Sequence, residues 1–420
     1  MDKFVVHKSK LSGTVTISGS KNAALPLLAA SILTDEECVI HRVPDLMDIR
    51  TMIRILEVLG KRVSFEDSTI RIQTQTNKGY VAPYRLVRTM RASFCALGPL
   101  LAKRKRAKVA LPGGCIIGPR PVDLHIKGLR DLGADITVRG GYCQAEAPAL
   151  TGQHIYLGGP FGSSVLATAN LMMAAVFAKG QTIIEYAACE PEVECLAHFL
   201  KKMGASIEGA GSPVIKVSGV KELGGCEFEN IPDRIEAGTF IAASLITRSS
   251  LHIEGANSMH LTSVLETSKR MGAKIDIGKH SVITVRPASK ITPVNITTLP
   301  YPGFPTDLQA QFMACLSFAK GISLITEKIY PDRFMHVAEL NRMGAAIQRS
   351  GPYAIVEGKD RLYGAEVMAS DLRASAALVI AALAAEDKSE VLRIYHIDRG
   401  YEAIEAKLKG IGAKIKREKQ

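Results

Sequence analysis

A glycine- and proline-rich segment carries the residues of this sequence best suited to chemistry. Residues 112–121 hold three glycines and three prolines, a composition that neither a helix nor a central strand tolerates. We therefore predict a surface loop between a strand and a helix, with Cys115 accessible on its glycine hinge. Arg120 could stabilise a thiolate or hold an anion beside it. The alternative, a small apolar filler, is less favoured for Cys115 because Ile116 and Ile117 already supply apolar anchors.

A second cluster, residues 18–26, places Ser20 and Lys21 at the start of an apolar helix. The N–H groups of the first turn, the helix dipole and the Lys21 ammonium could converge on one anion. The alternative is a serine N-cap followed by a solvated lysine. Segments 301–309 and 397–401 also place a charged residue at a Pro/Gly-punctuated helix start, although Asp307 in the first could be only a helix cap.

No metal or cofactor motif stands out. The eight cysteines are scattered without C-x-x-C or Cys/His ligand spacing, so we predict neither disulfides nor structural zinc. The glycine-rich segment 158–164 lacks the lysine of a phosphate-binding Walker loop. We expect no tightly bound metal and no cofactor.

The formal net charge is +12, with basic clusters at 103–106 and 414–419. Such charge fits anionic partners, either nucleic acid or a phosphorylated small molecule. Solvated turns and tails are the favoured interpretation of the two clusters themselves. Because aromatic residues make up 5% of the chain and tryptophan is absent, a stacking platform for nucleic acid has little material. Small anionic substrates are therefore favoured, and no nucleic-acid partner is expected.

The longest apolar runs, 171–179 and 374–385, fall short of the roughly 20 residues that span a membrane. The N-terminus lacks the basic segment and long apolar core of a secretory signal. These features predict a cytoplasmic protein without a membrane span. The oligomeric state stays open, with a monomer favoured.

An internal repeat indicates the elements that must position these residues. Six times a helix-like segment runs into a small-residue turn and then an alternating apolar stretch. We predict, for example, a helix over 193–202, a left-handed glycine at 204 and a strand from 205 to 208. Six α/β units on one plan follow, with α+β character inside each. The turn glycines are Gly60, Gly133, Gly204, Gly272, Gly344 and Gly412.

A chain of 420 residues exceeds the size at which single cores stop growing, so two domains are expected. Six similar units divide most simply into three and three. The middle of the series falls near residues 228–232, which we predict as a domain boundary.

Several blocks in this order resemble the UDP-N-acetylglucosamine enolpyruvyl transferases, also called 1-carboxyvinyltransferases. The resemblance covers essentially the whole chain. Its blocks are Ser-Lys-Asn-Ala-Ala at 20–24, Met-Arg-Ala-Ser at 90–93, Pro-Gly-Gly-Cys at 112–115, Arg-Pro-Val-Asp-Leu-His at 120–125, Asp-Arg-Ile-Glu-Ala-Gly-Thr at 233–239, Pro-Gly-Phe-Pro-Thr-Asp at 302–307, Asp-Arg-Phe-Met-His at 332–336, Asp-Leu-Arg-Ala at 371–374 and Asp-Arg-Gly-Tyr at 398–401.

The resemblance implies an α+β fold of two globular domains, each an inside-out barrel of three repeat units with helices inside and sheets outside. On that pattern residues 21–229 form one domain, which carries the cysteine loop. Residues 1–20 and 230–420 form the other. The active site is expected in the cleft between the domains.

The implied reaction transfers enolpyruvate from phosphoenolpyruvate to the 3′-hydroxyl of UDP-N-acetylglucosamine and releases phosphate, the first committed step of peptidoglycan synthesis. The resemblance makes Cys115 the proton donor to the methylene carbon and Asp307 the acceptor of the hydroxyl proton. The residues it implies for clamping the anions of phosphoenolpyruvate are Lys21, Arg120 and Arg399. Those implied for binding the nucleotide sugar or lining the same cleft are Asn22, Arg91, Pro121, Val122, Asp123, Leu124, Ser164, Val165, Asp307, Ile329, Asp371 and Arg373.

Two positions depart from the family pattern. Many relatives carry Lys-Val-Ser-Val-Gly against the uridine diphosphate, whereas this chain has Gly-Ser-Ser-Val-Leu at 162–166. Cys189 stands where relatives usually have arginine. Without these two cations, we expect weaker nucleotide binding than is typical of the family.

Two alternatives remain at this point. The sister family that transfers enolpyruvate to shikimate 3-phosphate shares the six-unit architecture but lacks the Pro-Gly-Gly-Cys loop, so Cys115 discriminates. A basic scaffold that binds RNA or another anionic polymer would predict strongly salt-dependent binding. That alternative leaves Cys115, Asp307 and the separated cations unexplained.

Overall fold

The computed structural model describes residues 2–88, 90–112, 122–278 and 281–419. They form two compact units. The N-terminal unit lies within residues 19–231, and the C-terminal unit combines residues 2–18 with residues 232–419. The chain passes between the units after Ser18 and after Ile231.

Most of the N-terminal unit consists of short helices and strands. Its helices are α1 (Lys21–Ala30), α2 (Met47–Val58), α3 (Tyr84–Val87), α4 (Leu97–Arg104), α5 (Asp123–Asp131), α6 (Val165–Ala175) and α7 (Pro191–Lys202), with 3-10 helices at Ser31–Leu33 and Arg91–Ala96. Its strands are β3 (Cys38–His41), β4 (Lys61–Glu66), β5 (Thr69–Thr74), β6 (Val81–Ala82), β7 (Arg106–Ala110), β8 (Asp135–Arg139), β9 (Tyr142–Glu146), β10 (His154–Tyr156), β11 (Gln181–Glu185), β12 (Ser206–Glu208), β13 (Val214–Ser218) and β14 (Cys226–Glu229).

The C-terminal unit is built in the same way. Its helices are α8 (Arg234–Thr247), α9 (Thr262–Arg270), α10 (Gln309–Leu316), α11 (His336–Arg342), α12 (Ala374–Ala384) and α13 (Ile404–Gly410), with 3-10 helices at Ser258–Leu261, Thr306–Leu308 and Ile394–Arg399. Its strands are β1 (Asp2–His7), β2 (Thr14–Thr16), β15 (Leu251–Glu254), β16 (Lys274–Ile277), β17 (Ile283–Arg286), β18 (Ile296–Thr298), β19 (Ile322–Glu327), β20 (Ala346–Ser350), β21 (Tyr353–Glu357), β22 (Glu366–Met368), β23 (Lys388–Leu392) and β24 (Lys414–Lys419).

The described strands form six four-stranded sheets with one shared topology, which confirms the predicted six-unit fold. In each sheet one edge strand pairs parallel to its neighbour and the remaining pairs are antiparallel, as in β18-β19-β21-β20. The other sheets are β14-β3-β5-β4, β6-β7-β9-β8 and β10-β11-β13-β12 in the N-terminal unit, and β16-β17-β15-β2 and β22-β23-β1-β24 in the C-terminal unit.

The six turn glycines explain why each of the six repeats changes from helix to strand where it does. All six have positive φ, from 91° at Gly344 to 109° at Gly204. An L side chain is strained in this region of backbone space, whereas glycine is not. Each glycine follows an outer helix and precedes an antiparallel edge strand, as α7 and β12 do around Gly204.

The centre of each unit is made of helices that are buried along nearly their whole length. In the C-terminal unit α8, α10 and α12 pack on one another, and every residue of α10 is buried. In the N-terminal unit α6 packs against both α1 and α4. A helix without a polar face must be enclosed, so the amphipathic helices and the sheets lie outside these bundles.

Neither basic cluster is simply a solvated turn or tail, so that interpretation was wrong in part. Residues 414–419 form strand β24, which pairs with β1 and buries Ile415 between exposed lysines. In the other cluster, the side-chain nitrogen of Lys103 lies 2.9 Å from an Asp35 oxygen, and the guanidinium nitrogens of Arg104 are buried.

Candidate active site

The C-terminal unit gathers predicted site residues around one guanidinium. Arg333 Nη1 donates to Asp307 Oδ1 at 2.7 Å, while Arg333 Nε and Nη2 donate to the two carboxylate oxygens of Asp371 at 3.0 and 3.2 Å. This two-oxygen contact uses the planar geometry of the guanidinium. Asp307 is the second residue of the 3-10 helix, whose N-cap is Pro305. The alternative that Asp307 is only a helix cap is therefore wrong.

Asp371 also organises the start of α12. Its Oδ1 accepts from the backbone N–H of Arg373 at 2.7 Å and of Ala374 at 3.2 Å. Burial by itself raises the pKa of Asp371, but Arg333 and these N–H donors outweigh burial and hold it below its usual value. Burial likewise works against the charge of Arg333, yet Asp371 and Asp307 raise its pKa well above the ordinary value. Asp371 and Arg333 thus stabilise each other in their charged forms.

Arg373 is 1% exposed and joins this network to α8. Its Nη2 donates to Asp233 Oδ2 at 2.8 Å and its Nη1 to the carbonyl of Gly400 at 2.7 Å. The Tyr401 ring lies 4.9 Å from the guanidinium carbon. Asp233 in turn caps α8 by accepting from the N–H groups of Ile235 and Glu236. Arg399, directly before Gly400, ends the 3-10 helix and is half-buried.

Ile329 lies in the turn after β19, which Glu327 organises. The Glu327 side chain is fully buried and its Oε1 accepts from the backbone N–H of Ile329 at 2.9 Å. Its Oε2 accepts from Thr306 Oγ1 at 2.9 Å. The C-terminal unit therefore brings Asp307, Ile329, Asp371 and Arg373 into one hydrogen-bonded region.

Lys21 opens α1 in the N-terminal unit, directly after the Ser20 N-cap, whose hydroxyl accepts from Ala23 N–H at 3.2 Å. The alternative of a solvated lysine is wrong, because Lys21 is 6% exposed and its Nζ lies 3.0 Å from Asp48 Oδ2. A paired cation at a helix N-terminus remains suited to binding an anion. Asn22, the next residue, is half-buried.

Val122 is the N-cap of α5, Asp123 and Leu124 begin its first turn, and His125 fixes that turn against α6. His125 Nδ1 lies 3.0 Å from Asn170 Nδ2 on α6, and the same amide nitrogen donates to the Phe94 carbonyl at 3.0 Å. Burial first, then the nearby positive charge of Arg91, lowers the pKa of His125 to about 3. Arg91, which opens the neighbouring 3-10 helix, therefore lies close enough to α5 to act on it.

Ser164 and Val165 lie where α6 begins. Ser164 is its N-cap and accepts from Ala167 N–H at 3.3 Å. The preceding segment touches α5, because a Cβ at Gly159 would come 3.1 Å from Leu124 Cδ1. Cys189, the second departure from the family pattern, is half-buried before α7. Burial, then Glu190, raises the pKa of its thiol, so it does not replace the cation of relatives.

Cys115, Arg120 and Pro121 lie outside the described residues. Among the residues that are described, no cluster of three or more His, Cys, Asp or Glu side chains is arranged to hold a metal ion. In the same part of the chain, every helix is too short or too polar to cross a bilayer.

Sequence reasoning did not assign a role to Asp48, Arg333, Asp233 or Glu327. Asp48 had a signal, since it shares the buried stripe of α2 with Met52 and Ile55. Arg333 and Asp233 lie in blocks that carried the resemblance. No sequence signal marked Glu327, because a glutamate at a strand end normally faces water.

Known proteins similar to this chain belong to one class of enzymes. Residues 5–408 match the family described as EPSP synthase (3-phosphoshikimate 1-carboxyvinyltransferase). The enolpyruvyl transferase NikO from Streptomyces tendae has a similar fold, with a TM-score of 0.89 and 23% identity over 99% of this chain and 98% of that one. EPSP synthase from Acinetobacter baumannii gives a TM-score of 0.77 at 16% identity, with both chains covered completely. The chain is thus a carboxyvinyl transferase in fold and family.

Sequence relatives then narrow the assignment. A UDP-N-acetylglucosamine 1-carboxyvinyltransferase from Methylacidiphilum infernorum is 55% identical over 99% of each chain. UDP-N-acetylglucosamine 1-carboxyvinyltransferase 2 from Carboxydothermus hydrogenoformans is 52% identical over the same shares. This chain belongs to the UDP-N-acetylglucosamine 1-carboxyvinyltransferase family, which confirms the resemblance seen in the sequence.

Proposed function

We propose that this protein transfers the enolpyruvyl group of phosphoenolpyruvate to the 3′-hydroxyl of UDP-N-acetylglucosamine and releases phosphate. The product enters peptidoglycan synthesis at its first committed step, and we place the reaction in the cytoplasm. The observation that carries the proposal is identity above 50% to transferases of that name along nearly the entire chain.

The proposed chemistry is an addition followed by an elimination. Cys115 donates its thiol proton to the methylene carbon of phosphoenolpyruvate while Asp307 accepts the proton of the attacking 3′-hydroxyl. The new C–O bond forms at C2. Phosphate then leaves by cleavage of its C–O bond to C2, and the Cys115 thiolate takes back a proton from the new methyl group, which restores the double bond. The phosphorus atom is never attacked, so cationic side chains suffice to neutralise the leaving phosphate.

The environment of Asp307 supports its role as the base. Its side chain keeps 27% of its surface exposed, whereas the Arg333 side chain beside it keeps 8%. Buried Asp371 fixes the position of Arg333. Arg333 in turn orients the Asp307 carboxylate through its hydrogen bond to Oδ1. An oriented, partly open carboxylate can reach a substrate hydroxyl without first breaking its own support.

The proposed clamp on phosphoenolpyruvate consists of Lys21, Arg120 and Arg399. Guanidinium groups match the geometry of both phosphate and carboxylate, and Lys21 adds a charge at the N-terminus of α1. Lys21 lies in the N-terminal unit and Arg399 in the C-terminal unit. We assign contacts with the nucleotide sugar, or with the cleft that holds it, to Asn22, Arg91, Pro121, Val122, Asp123, Leu124, Ser164, Val165, Asp307, Ile329, Asp371 and Arg373.

Phosphate release from phosphoenolpyruvate tests the proposal. We expect release with UDP-N-acetylglucosamine and none with shikimate 3-phosphate. In Cys115→Ser release should collapse, because a serine hydroxyl is a far weaker acid than a thiol. Cys226→Ser is the matched control, since Cys226 is half-buried in β14 and has no proposed role.

Each other outcome has a distinct meaning. Release that requires shikimate 3-phosphate would favour the sister reaction. Full activity in Cys115→Ser would retain the reaction and remove the thiol from it. No release with either acceptor would refute the proposed function.

A further inference from the structure

We propose that Glu327 is a positioning residue that sets both the proposed base Asp307 and the proposed nucleotide-sugar contact at Ile329. This inference rests on the proposed function. Glu327 is the last residue of β19, and its carboxylate is fully buried. A buried carboxylate is costly unless its oxygens are fully hydrogen-bonded. Glu327 meets that condition with four donors. Three of them belong to the two segments in question, and the fourth is Thr298 at the end of β18.

The Oε2 oxygen of Glu327 is linked to the proposed base, Asp307, through a chain of hydrogen bonds. Thr306 Oγ1 donates to Glu327 Oε2 at 2.9 Å, and the same hydroxyl accepts from Arg333 Nη1 at 3.2 Å. Arg333 Nη1 also donates to Asp307 Oδ1 at 2.7 Å. A hydroxyl has one proton, which Thr306 donates to the Glu327 carboxylate. A lone pair of the Thr306 oxygen is therefore free to accept from Arg333. The position of Arg333, and through it that of Asp307, therefore depends on the Glu327 charge.

The Oε1 oxygen of Glu327 is hydrogen-bonded to the turn after β19. Glu327 Oε1 accepts from the backbone N–H groups of Ile329 at 2.9 Å and Tyr330 at 3.0 Å. It also accepts from Thr298 Oγ1 at 2.7 Å, and that hydroxyl accepts from Lys328 N–H at 3.0 Å. The three successive N–H groups of residues 328–330 thus donate to Glu327 or to Thr298, whose hydroxyl Glu327 orients. The turn that presents Ile329 has its shape set by this carboxylate.

Replacement by glutamine tests whether the charge matters beyond the fold. In Glu327→Gln one oxygen can still accept from the turn, but the amide NH₂ cannot accept from Thr306. It would instead donate to Thr306 and compete with Arg333 for the same lone pair. A displaced base costs up to about 100-fold in rate for each ångström. We expect kcat to fall by about 10- to 100-fold.

Michaelis constants separate positioning from damage to the fold. A neutral amide oxygen is a weaker acceptor for the N–H groups of the Ile329 turn than a carboxylate oxygen. KM for UDP-N-acetylglucosamine should therefore rise severalfold, while KM for phosphoenolpyruvate stays near the wild-type value. A purely structural role would lower the active fraction and leave both KM values unchanged. Glu357→Gln, at the exposed end of the neighbouring strand β21, is the matched control and should have wild-type kinetics.

A second variant isolates the arm that leads to Asp307. Thr306→Val keeps the shape of the side chain and removes the hydroxyl, so kcat should fall as in Glu327→Gln with little change in KM for the nucleotide sugar. In the double variant the two losses in kcat should not multiply, because both act through one hydroxyl. Thr306→Val also tests that arm should Glu327→Gln fail to fold.

The inference is overturned by wild-type kcat in either variant, by unchanged KM values in a folded Glu327→Gln, or by losses that multiply in the double variant. These results differ from failure of the proposed function. In that case the wild-type protein would itself release no phosphate with UDP-N-acetylglucosamine.

Discussion

Breaking the ion pair between Arg373 and Asp233 should strongly destabilise the C-terminal unit, and Asp233→Asn tests this. The Arg373 side chain is 1% exposed and that of Asp233 is 6% exposed. Removing one partner of a buried pair typically costs about 3–5 kcal/mol because the other charge stays buried. Arg373 retains the Gly400 carbonyl and the Tyr401 ring. We therefore expect the lower end, about 3 kcal/mol.

Asparagine separates this charge effect from helix capping. Asp233 Oδ1 accepts from Ile235 N–H at 2.8 Å and Glu236 N–H at 3.1 Å, and an amide oxygen can accept both bonds. Asp233→Ala, which loses the cap as well, should cost about 1 kcal/mol more. For a unit of roughly 200 residues, 3 kcal/mol corresponds to a fall in Tm of about 6–12 °C.

Calorimetry or circular dichroism is the suitable assay, because the chain has no tryptophan to report unfolding by fluorescence. The control is Asp360→Asn, which breaks the exposed pair with Lys320 and should leave Tm unchanged. Adding Arg373→Met to Asp233→Asn should recover part of the loss, since the unpaired guanidinium is then no longer buried. If Asp233→Asn melts within about 2 °C of the wild type, leaving Arg373 without its partner is not costly and the reasoning fails.

Three further predictions concern pH, catalysis and the repeat. His336 is buried, with no hydrogen-bond partner among the described residues; burial is the main cause that lowers its pKa to about 4. The unfolded chain therefore binds this proton more tightly, so stability present above about pH 6.5 is lost as the pH falls to about 4. Melting curves of His336→Leu should show a shallower acid dependence, and an identical slope would refute this. Asp307→Asn should lower kcat of phosphate release by about 10²–10⁴-fold with little change in Tm, and near-normal turnover would exclude Asp307 as the base. Gly204→Ala should destabilise by about 1–2 kcal/mol because φ is 109° although no atom lies within 4 Å of the added Cβ. Gly410→Ala, equally unobstructed but at the end of helix α13, should be neutral or stabilising by up to about 1 kcal/mol, so equal Tm shifts in the two variants would contradict the assignment to backbone strain.

The repeat was readable from the sequence because its signals are local. Gly204 ends a helix over a few residues, and the alternation that follows marks a strand regardless of what the rest of the chain does. The predicted helix over 193–202 lies inside α7, and the predicted strand at 205–208 contains β12. The family was readable too, since blocks such as 112–115 and 302–307 retain both their residues and their order.

The pairing of buried charges was decided only by the tertiary structure. No local pattern shows that Lys21 meets Asp48, or that Asp233 meets Arg373 across 140 residues of sequence. Asp307 illustrates the same limit, because its segment was compatible with a helix cap until Arg333 was placed beside it. The physical reason is that propensity and turn sterics act over a few residues, whereas a buried charge must find its partner wherever packing brings one. The six-unit plan and the family therefore follow from local patterns along the chain, whereas the charge pairs that support the candidate site depend on long-range packing.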